Sequence, residues 1–99
     1  MNIDLIYCCF PNKKSAHICA KLIIEKRLSN CCNISKSNSI YFSENKINNS
    51  QEIKLIIKSK KENSELIEKL IEKHHPYKTP VIITITAQIN LKALDWLNS

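Results

Sequence analysis

The stretch Cys31–Ser59, CCNISKSNSIYFSENKINNSQEIKLIIKS, decides the fold, because it reads as two strands joined by one tight turn. Its first half carries Ile34, Ile40, Tyr41 and Phe42, with the polar run Ser35–Ser39 between them, and predicts a long, irregular, bulged strand over Cys31–Ser43. Glu44-Asn45-Lys46 is the turn, since Asn tolerates positive φ. From Ile47 to Ser59 the pattern alternates, with Ile53, Leu55 and Ile57 on one face and Glu52, Lys54, Ile56 and Lys58 on the other. Two such runs around a short turn pair as an antiparallel hairpin.

Working outward on the N-terminal side, Ile3–Phe10 is nearly all apolar, rich in β-favouring residues, and stops at Pro11, as a strand in the middle of a sheet does. Asn12 then caps a helix whose apolar face is Ala16, Cys19, Ala20, Ile23, Ile24 and Leu28, running to about Ser29. On the C-terminal side, Ser59 and Glu62 have capping-box spacing ahead of a helix that shows Leu66, Ile67, Leu70 and Ile71 and ends near His74. Pro76 and Pro80 push His75 and Thr79 out of helical geometry, so His75–Pro80 is an extended connector. Val81–Ala87 is the fourth strand, and Leu91, Leu94, Trp96 and Leu97 mark a short final helix.

Strand, helix, strand, strand, helix, strand is the split βαβ order, which predicts an α+β ferredoxin-like (βαββαβ) sandwich, an antiparallel sheet with both helices on one face, as one domain over residues 1–99. The additional short C-terminal helix follows it. The uncovered face is expected to expose Ile6, Cys8, Phe10, Ile56 and Ile82, too much apolar surface for solvent, so self-association is the expected remedy.

Composition narrows the function. With 99 residues, 43% hydrophobic and 24% charged, there is room for one small core, and no apolar run approaches the roughly 20 residues of a membrane span. Five cysteines, four of them in two adjacent pairs, do not make a disulfide framework, so reduced thiols and a cytoplasmic address are expected, and the N-terminus has no secretory pattern. The net charge of +6 is spread along the chain as lysine, with Arg27 alone as arginine, and marks a solvated basic surface rather than a nucleic-acid site. The strand around Glu52–Lys58 has no aromatic residue for base stacking, and Pro11-Asn12-Lys13-Lys14 has neither the arginine nor the glycines of an acylphosphatase-type phosphate loop, so no enzyme is expected.

The chemistry concentrates at His74-His75-Pro76-Tyr77-Lys78-Thr79-Pro80. Imidazole and thiolate suit copper and zinc, thiolate favouring Cu(I). Against that, His74 also suits a helix C-terminus and His75 a packed turn, while most of the cysteines suit small core positions. Cys8 stands apart, near the end of the first strand.

Cys8-x-x-Pro11, Leu22–Leu28 followed by Cys31, Ser39-Ile40-Tyr41, Glu52 ahead of Ile56-Ile57-Lys58, the HHPYxTP run from His74, and Trp96-Leu97 together resemble the CutA divalent-cation tolerance proteins over nearly the whole chain. That resemblance implies a non-catalytic homotrimer involved in tolerance to divalent metal ions, with a copper ion, or zinc, bound by Cys8, His74 and His75. Departures from the family pattern at Lys36-Ser37, Phe42-Ser43, Val81, Gln88-Ile89-Asn90 and Ala93 imply a weaker assembly. The alternative is a trimeric small-molecule sensor similar to PII signalling proteins, taking an anionic ligand in clefts between subunits. Neither membrane nor nucleic acid is an expected partner.

Overall fold

The computed structural model describes residues 1–99. The first strand, β1 (Asn2–Phe10), pairs antiparallel with two neighbours. From Ile6 its burial alternates, so that Ile6, Cys8 and Phe10 are fully buried while Tyr7 and Cys9 are half-exposed. The sheet order is β2-β3-β1-β4, with β2 at Cys31–Ser43, β3 at Lys46–Ser59 and β4 at Ile82–Gln88. Every pairing is antiparallel, which is the ferredoxin-like arrangement the element order predicts.

Helix α1 (Lys13–Glu25) starts where the side chain of Asn12 accepts a hydrogen bond from the Ser15 N–H at 2.8 Å. It buries Ala16, Cys19, Ala20 and Ile23. It ends four residues before the predicted Ser29. Arg27 takes φ 58°, the Arg27 N–H reaches the Ile24 carbonyl, and the Leu28 N–H reaches the Ile23 carbonyl, a Schellman ending with arginine at the position glycine usually fills. A chain without glycine hides that stop from sequence reading.

The β2–β3 register is constant from Cys31↔Lys58 to Ser43↔Lys46, so the expected bulge is absent. Glu44 and Asn45 form the two-residue loop, both at positive φ (54° and 61°), as the hairpin twist requires. β1 covers β3 only from Ile53 onward, and the distal hairpin therefore projects from the body with Ile40, Phe42 and Ile47 bare. The longest dimension is 47 Å against 24 and 21 Å for the others.

The Ser59–Glu62 capping box does not form. Ser59 is the last residue of β3 and its hydroxyl donates to the Lys60 carbonyl. A single 3-10 turn, Lys61–Asn63, precedes α2 (Ser64–His74). The Ser64 hydroxyl instead donates to the buried Asp4 carboxylate at 2.7 Å, and the Thr86 hydroxyl donates to its other oxygen at 3.2 Å. These two hydroxyls tie α2 and β4 to the start of β1, satisfying a charge that burial alone would penalise. Of the predicted α2 stripe, Ile67 and Ile71 are buried and Leu66 is exposed. Helix α3 (Leu91–Leu97) buries Leu97, and the Asn30 amide donates to the Trp96, Leu97 and Ser99 carbonyls at its C-terminus. No helix is long and apolar enough to cross a membrane.

The core lies between the sheet and α1 and α2, with Ile6, Cys8, Phe10, Leu55 and Ile57 from the strands against Cys19, Ile23, Ile67 and Ile71. This corrects the assignment of faces. Ile6, Cys8 and Phe10 point to the helices, and Ile82 packs beside them; the uncovered face carries Leu5, Tyr7, Ile56, Ile83 and Ile85. In a strand apolar on both sides nothing in the alternation fixes parity, and one residue of error exchanges the faces.

Candidate functional site

Helix α2 delivers His75 to the end of β1. Its N–H closes the helix on the Ile71 carbonyl at 2.8 Å, and Pro76 behind it holds the backbone extended at φ −76°, ψ 136°. The ring is only 8% exposed and stacks on Phe10 with centroids 4.3 Å apart. Both nitrogens are engaged. Nδ1 accepts the Tyr77 N–H at 3.0 Å, so Nε2 bears the proton and donates it to the Cys9 carbonyl at 2.8 Å. The imidazole is thereby fixed as one neutral tautomer with no free lone pair.

The Cys8 thiol shares that acceptor, its Sγ lying 3.7 Å from the Cys9 carbonyl oxygen. The fold thus brings Cys8 and His75 to one backbone oxygen. Cys8 is fully buried, and burial, helped by the neighbouring thiols Cys19 and Cys9 and by Glu52, pushes its pKa up to about 12. At neutral pH it is a thiol packed among apolar side chains. His74, by contrast, is exposed at the end of α2 and its ring makes no hydrogen bond. No group of three or more His, Cys, Asp or Glu side chains converges to hold a metal ion within the chain. Cys8, His74 and His75 as arranged do not fit an ion: one donor is protonated and buried, one has both nitrogens bonded, and one stands apart.

Beyond His75 the connector turns onto the uncovered face of the sheet. The Tyr77 hydroxyl donates to one oxygen of Glu52 at 2.7 Å, and the Ser39 hydroxyl donates to the other at 2.5 Å. On β1 the Cys9 Sγ and the Tyr7 hydroxyl oxygen lie 3.5 Å apart, within hydrogen-bond reach. Tyr7, Cys9, Glu52, Tyr77, Thr79 and Val81 line a cleft of about 230 Å³. Both phenols hold their protons more tightly than an ordinary tyrosine, Tyr77 through burial and its bond to Glu52, Tyr7 through its bond to Cys9 and burial. Glu52 is the one carboxylate in the cleft.

Sequence reasoning did not assemble this second group. Glu52 and Tyr77 both stand in the motifs quoted above, but 25 residues and the whole of α2 separate them. The usable signal was Glu52 itself, an acidic residue at the first outward position of the regular β3 alternation.

A family model described as CutA1 divalent ion tolerance protein matches residues 4–99. The divalent-cation tolerance protein CutA of Pyrococcus horikoshii is 32% identical over 94 residues, covering 94% of this chain and 92% of that protein. The crystal structure of the divalent ion tolerance protein CutA1 from Ehrlichia chaffeensis superimposes with a TM-score of 0.93 at 34% identity, covering 98% of this chain and 92% of its own. The structure of the periplasmic divalent cation tolerance protein CutA from Archaeoglobus fulgidus gives 0.90 at 31% identity, covering 99% and 96%.

Proposed function

The chain belongs to the CutA1 divalent ion tolerance protein family, and on that footing we propose that it is a non-catalytic homotrimer serving tolerance to divalent metal ions. The observation that carries the assembly is the uncovered sheet face. Leu5, Tyr7, Ile56, Ile83 and Ile85 form one contiguous apolar stripe, with Ile85 54% exposed, and the projecting hairpin adds Phe42 at 72% and Ile47 at 77%. A lone chain would present this surface to water. The sheet also ends in two unpaired edges, β2 and β4, on opposite sides, and a head-to-tail contact between unlike edges builds a ring of three when each copy is turned by a third of a circle from the last.

The metal enters this reading at the β1–α2 corner. His74 is the donor open to an ion, and Cys8 and His75 become donors when the Tyr77 N–H and the Cys9 carbonyl release His75 and the thiol reaches solvent. Copper binding there requires the corner to open, at the cost of the two hydrogen bonds that hold the His75 ring. The five free thiols favour the reducing cytoplasm for this chain, whatever the compartment of its Archaeoglobus relative.

Light scattering on the eluting protein tests the assembly, with about 34 kDa expected for three copies of the 11.4 kDa chain. A mass of one chain at micromolar concentration overturns it. Competition titration of the reduced protein with Cu(I), Cu(II) and Zn(II), beside a Cys8→Ser/His74→Ala/His75→Ala variant of the same mass, tests the metal. Equal uptake by both proteins removes these three residues from the proposal.

A second reading, a small-molecule sensor, is favoured by the cleft beside Glu52. The carboxylate in it is unsuited to the anionic ligand expected from the likeness to PII proteins.

A further inference from the structure

The two flanks of the helical layer carry opposite charge. On the β2 side, Lys13, His17 and Lys21 stand one turn apart along the exposed flank of α1, above a groove that reaches Cys32 and Ile34 on the edge strand. Lys36 borders the same groove from β2, and no carboxylate lines it. On the β4 side, Glu68 leans over the edge strand, where its carboxylate accepts from the Thr84 hydroxyl. Glu65 and Glu72 share that flank of α2, three residues before Glu68 and four after it. Glu65 pairs with Lys69 on its own helix, whereas Glu68, Glu72, Lys13 and Lys21 pair with no opposite charge in the chain.

We propose that the basic flank of α1 in one copy meets the acidic flank of α2 in the next, and that this contact makes the assembly a ring of unlike edges rather than a two-fold pair. The inference rests on the ring proposed above, in which β2 of one copy lies beside β4 of its neighbour. Width allows it. Four strands about 4.8 Å apart span about 19 Å, and two helices packed at about 8–10 Å fill that width, so sheets joined edge to edge bring α1 beside the neighbour's α2. With the uncovered faces turned inward, the turn of each copy widens the gap on the helical side, and long Lys and Glu side chains bridge it. Direction agrees as well. Helix α1 starts just past Phe10 at the end of β1, whereas α2 starts at Ser64, bonded to Asp4 near the beginning of β1, and ends at the His75 ring stacked on Phe10. The two helices therefore run opposite ways, and with strands along the ring axis Lys13 comes level with the partner's Glu72, and Lys21 with the partner's Glu65 and Glu68. The spans match, about 12 Å from Lys13 to Lys21 and about 10 Å from Glu65 to Glu72. A dimer through like edges would set lysines against lysines or glutamates against glutamates, and that repulsion rejects it.

The test is a charge-reversal cycle on the full chain: Lys13→Glu, Glu72→Lys and the double variant. Both sites are exposed, and each single change suits its own helix, placing an acid in the first turn of α1 and a base in the last turn of α2. A loss of assembly in the single variants is therefore not a folding defect. Sedimentation at low salt, in urea that half-dissociates the unaltered protein, reads the mass as protein concentration varies. Reversing one partner weakens each contact about fivefold, and because three contacts break to release three chains, the midpoint concentration rises about tenfold. The double variant is expected within about twofold of the unaltered protein. Sodium chloride at about 0.5 M is expected to remove most of the single-variant effect. Single variants that dissociate like the unaltered protein, or a double variant no better than the weaker single, overturn the proposal. If the unaltered protein sediments as one chain or two, the ring reading fails and takes the proposal with it; a trimer indifferent to the cycle removes this contact alone.

Discussion

Replacing His75 by alanine separates a structural imidazole from a ligand held in waiting. The native ring makes two hydrogen bonds, from Nε2–H to the Cys9 carbonyl at 2.8 Å and from the Tyr77 N–H to Nδ1 at 3.0 Å, each worth about 1 kcal/mol net. Its stack on Phe10 adds about 0.5–1.5 kcal/mol. Truncation also strands a carbonyl and an N–H in a poorly hydrated corner. The expected loss is about 3 kcal/mol per chain, whereas His74→Ala, at an exposed site without hydrogen bonds, stays within about 0.5 kcal/mol. Urea unfolding at one fixed protomer concentration is the assay, because stability in an assembly depends on concentration. With a slope of about 1–1.5 kcal/mol per molar urea, the His75→Ala midpoint falls by roughly 2–3 M and the His74→Ala midpoint hardly moves. A His75→Ala loss below about 1 kcal/mol, or equal losses in the two variants, would refute the structural role and restore His75 as a readily available donor.

Three further outcomes are expected. Burial lifts the folded-state pKa of Cys8 and Cys32 to about 12 and that of Cys19 to about 11 from 9.0, so the unfolded chain ionises first; stability is complete below about pH 9 and falls as pH rises through the folded values, and urea midpoints that stay level from pH 8 to 11 would contradict this. Arg27→Gly relieves a side chain at φ 58° and, net of glycine's extra freedom in the unfolded chain, raises stability by about 0.5–1 kcal/mol, read as a higher melting temperature; an unchanged or lower melting temperature would refute strain of that size. Ile85→Lys places a charge in the apolar stripe of the uncovered face and shifts the light-scattering mass toward one chain; an unchanged mass would move the interface elsewhere.

The order of elements was open to sequence reading because each strand and helix carries its own period and its own stops. The hairpin was found from Glu44-Asn45, and the end of α2 from Pro76, one residue past His75. What failed was whatever depended on a partner far along the chain. Ser59 has the spacing of a cap, but it lies in β3, and α2 starts at Ser64, whose hydroxyl serves Asp4, sixty residues away. The α1 stop rests on Arg27 at positive φ, a position where glycine would have announced it. Strand parity failed for the same reason: β1 is apolar on both faces, and only the packing of α1 and α2 decides which side is the core.

The candidate donors show the limit most clearly. Listing Cys8, His74 and His75 by residue type treats them as equals, yet the backbone assigns them different work. Two successive residues at a helix end, one still helical and one extended, point in different directions, so His74 meets solvent while His75 meets Phe10. Cys8 falls on the covered side of β1 by the same parity that puts Tyr7 and Cys9 on the other. Tyr77 then joins the two halves of the corner: its N–H holds the His75 ring, and its hydroxyl holds Glu52 in the cleft. Anything that takes the Nδ1 lone pair of His75, a proton or an ion, must first release the Tyr77 N–H. The same residue's hydroxyl bonds Glu52 on the far side of the sheet, so Tyr77 is the one residue of the connector that touches both the donor corner and the cleft.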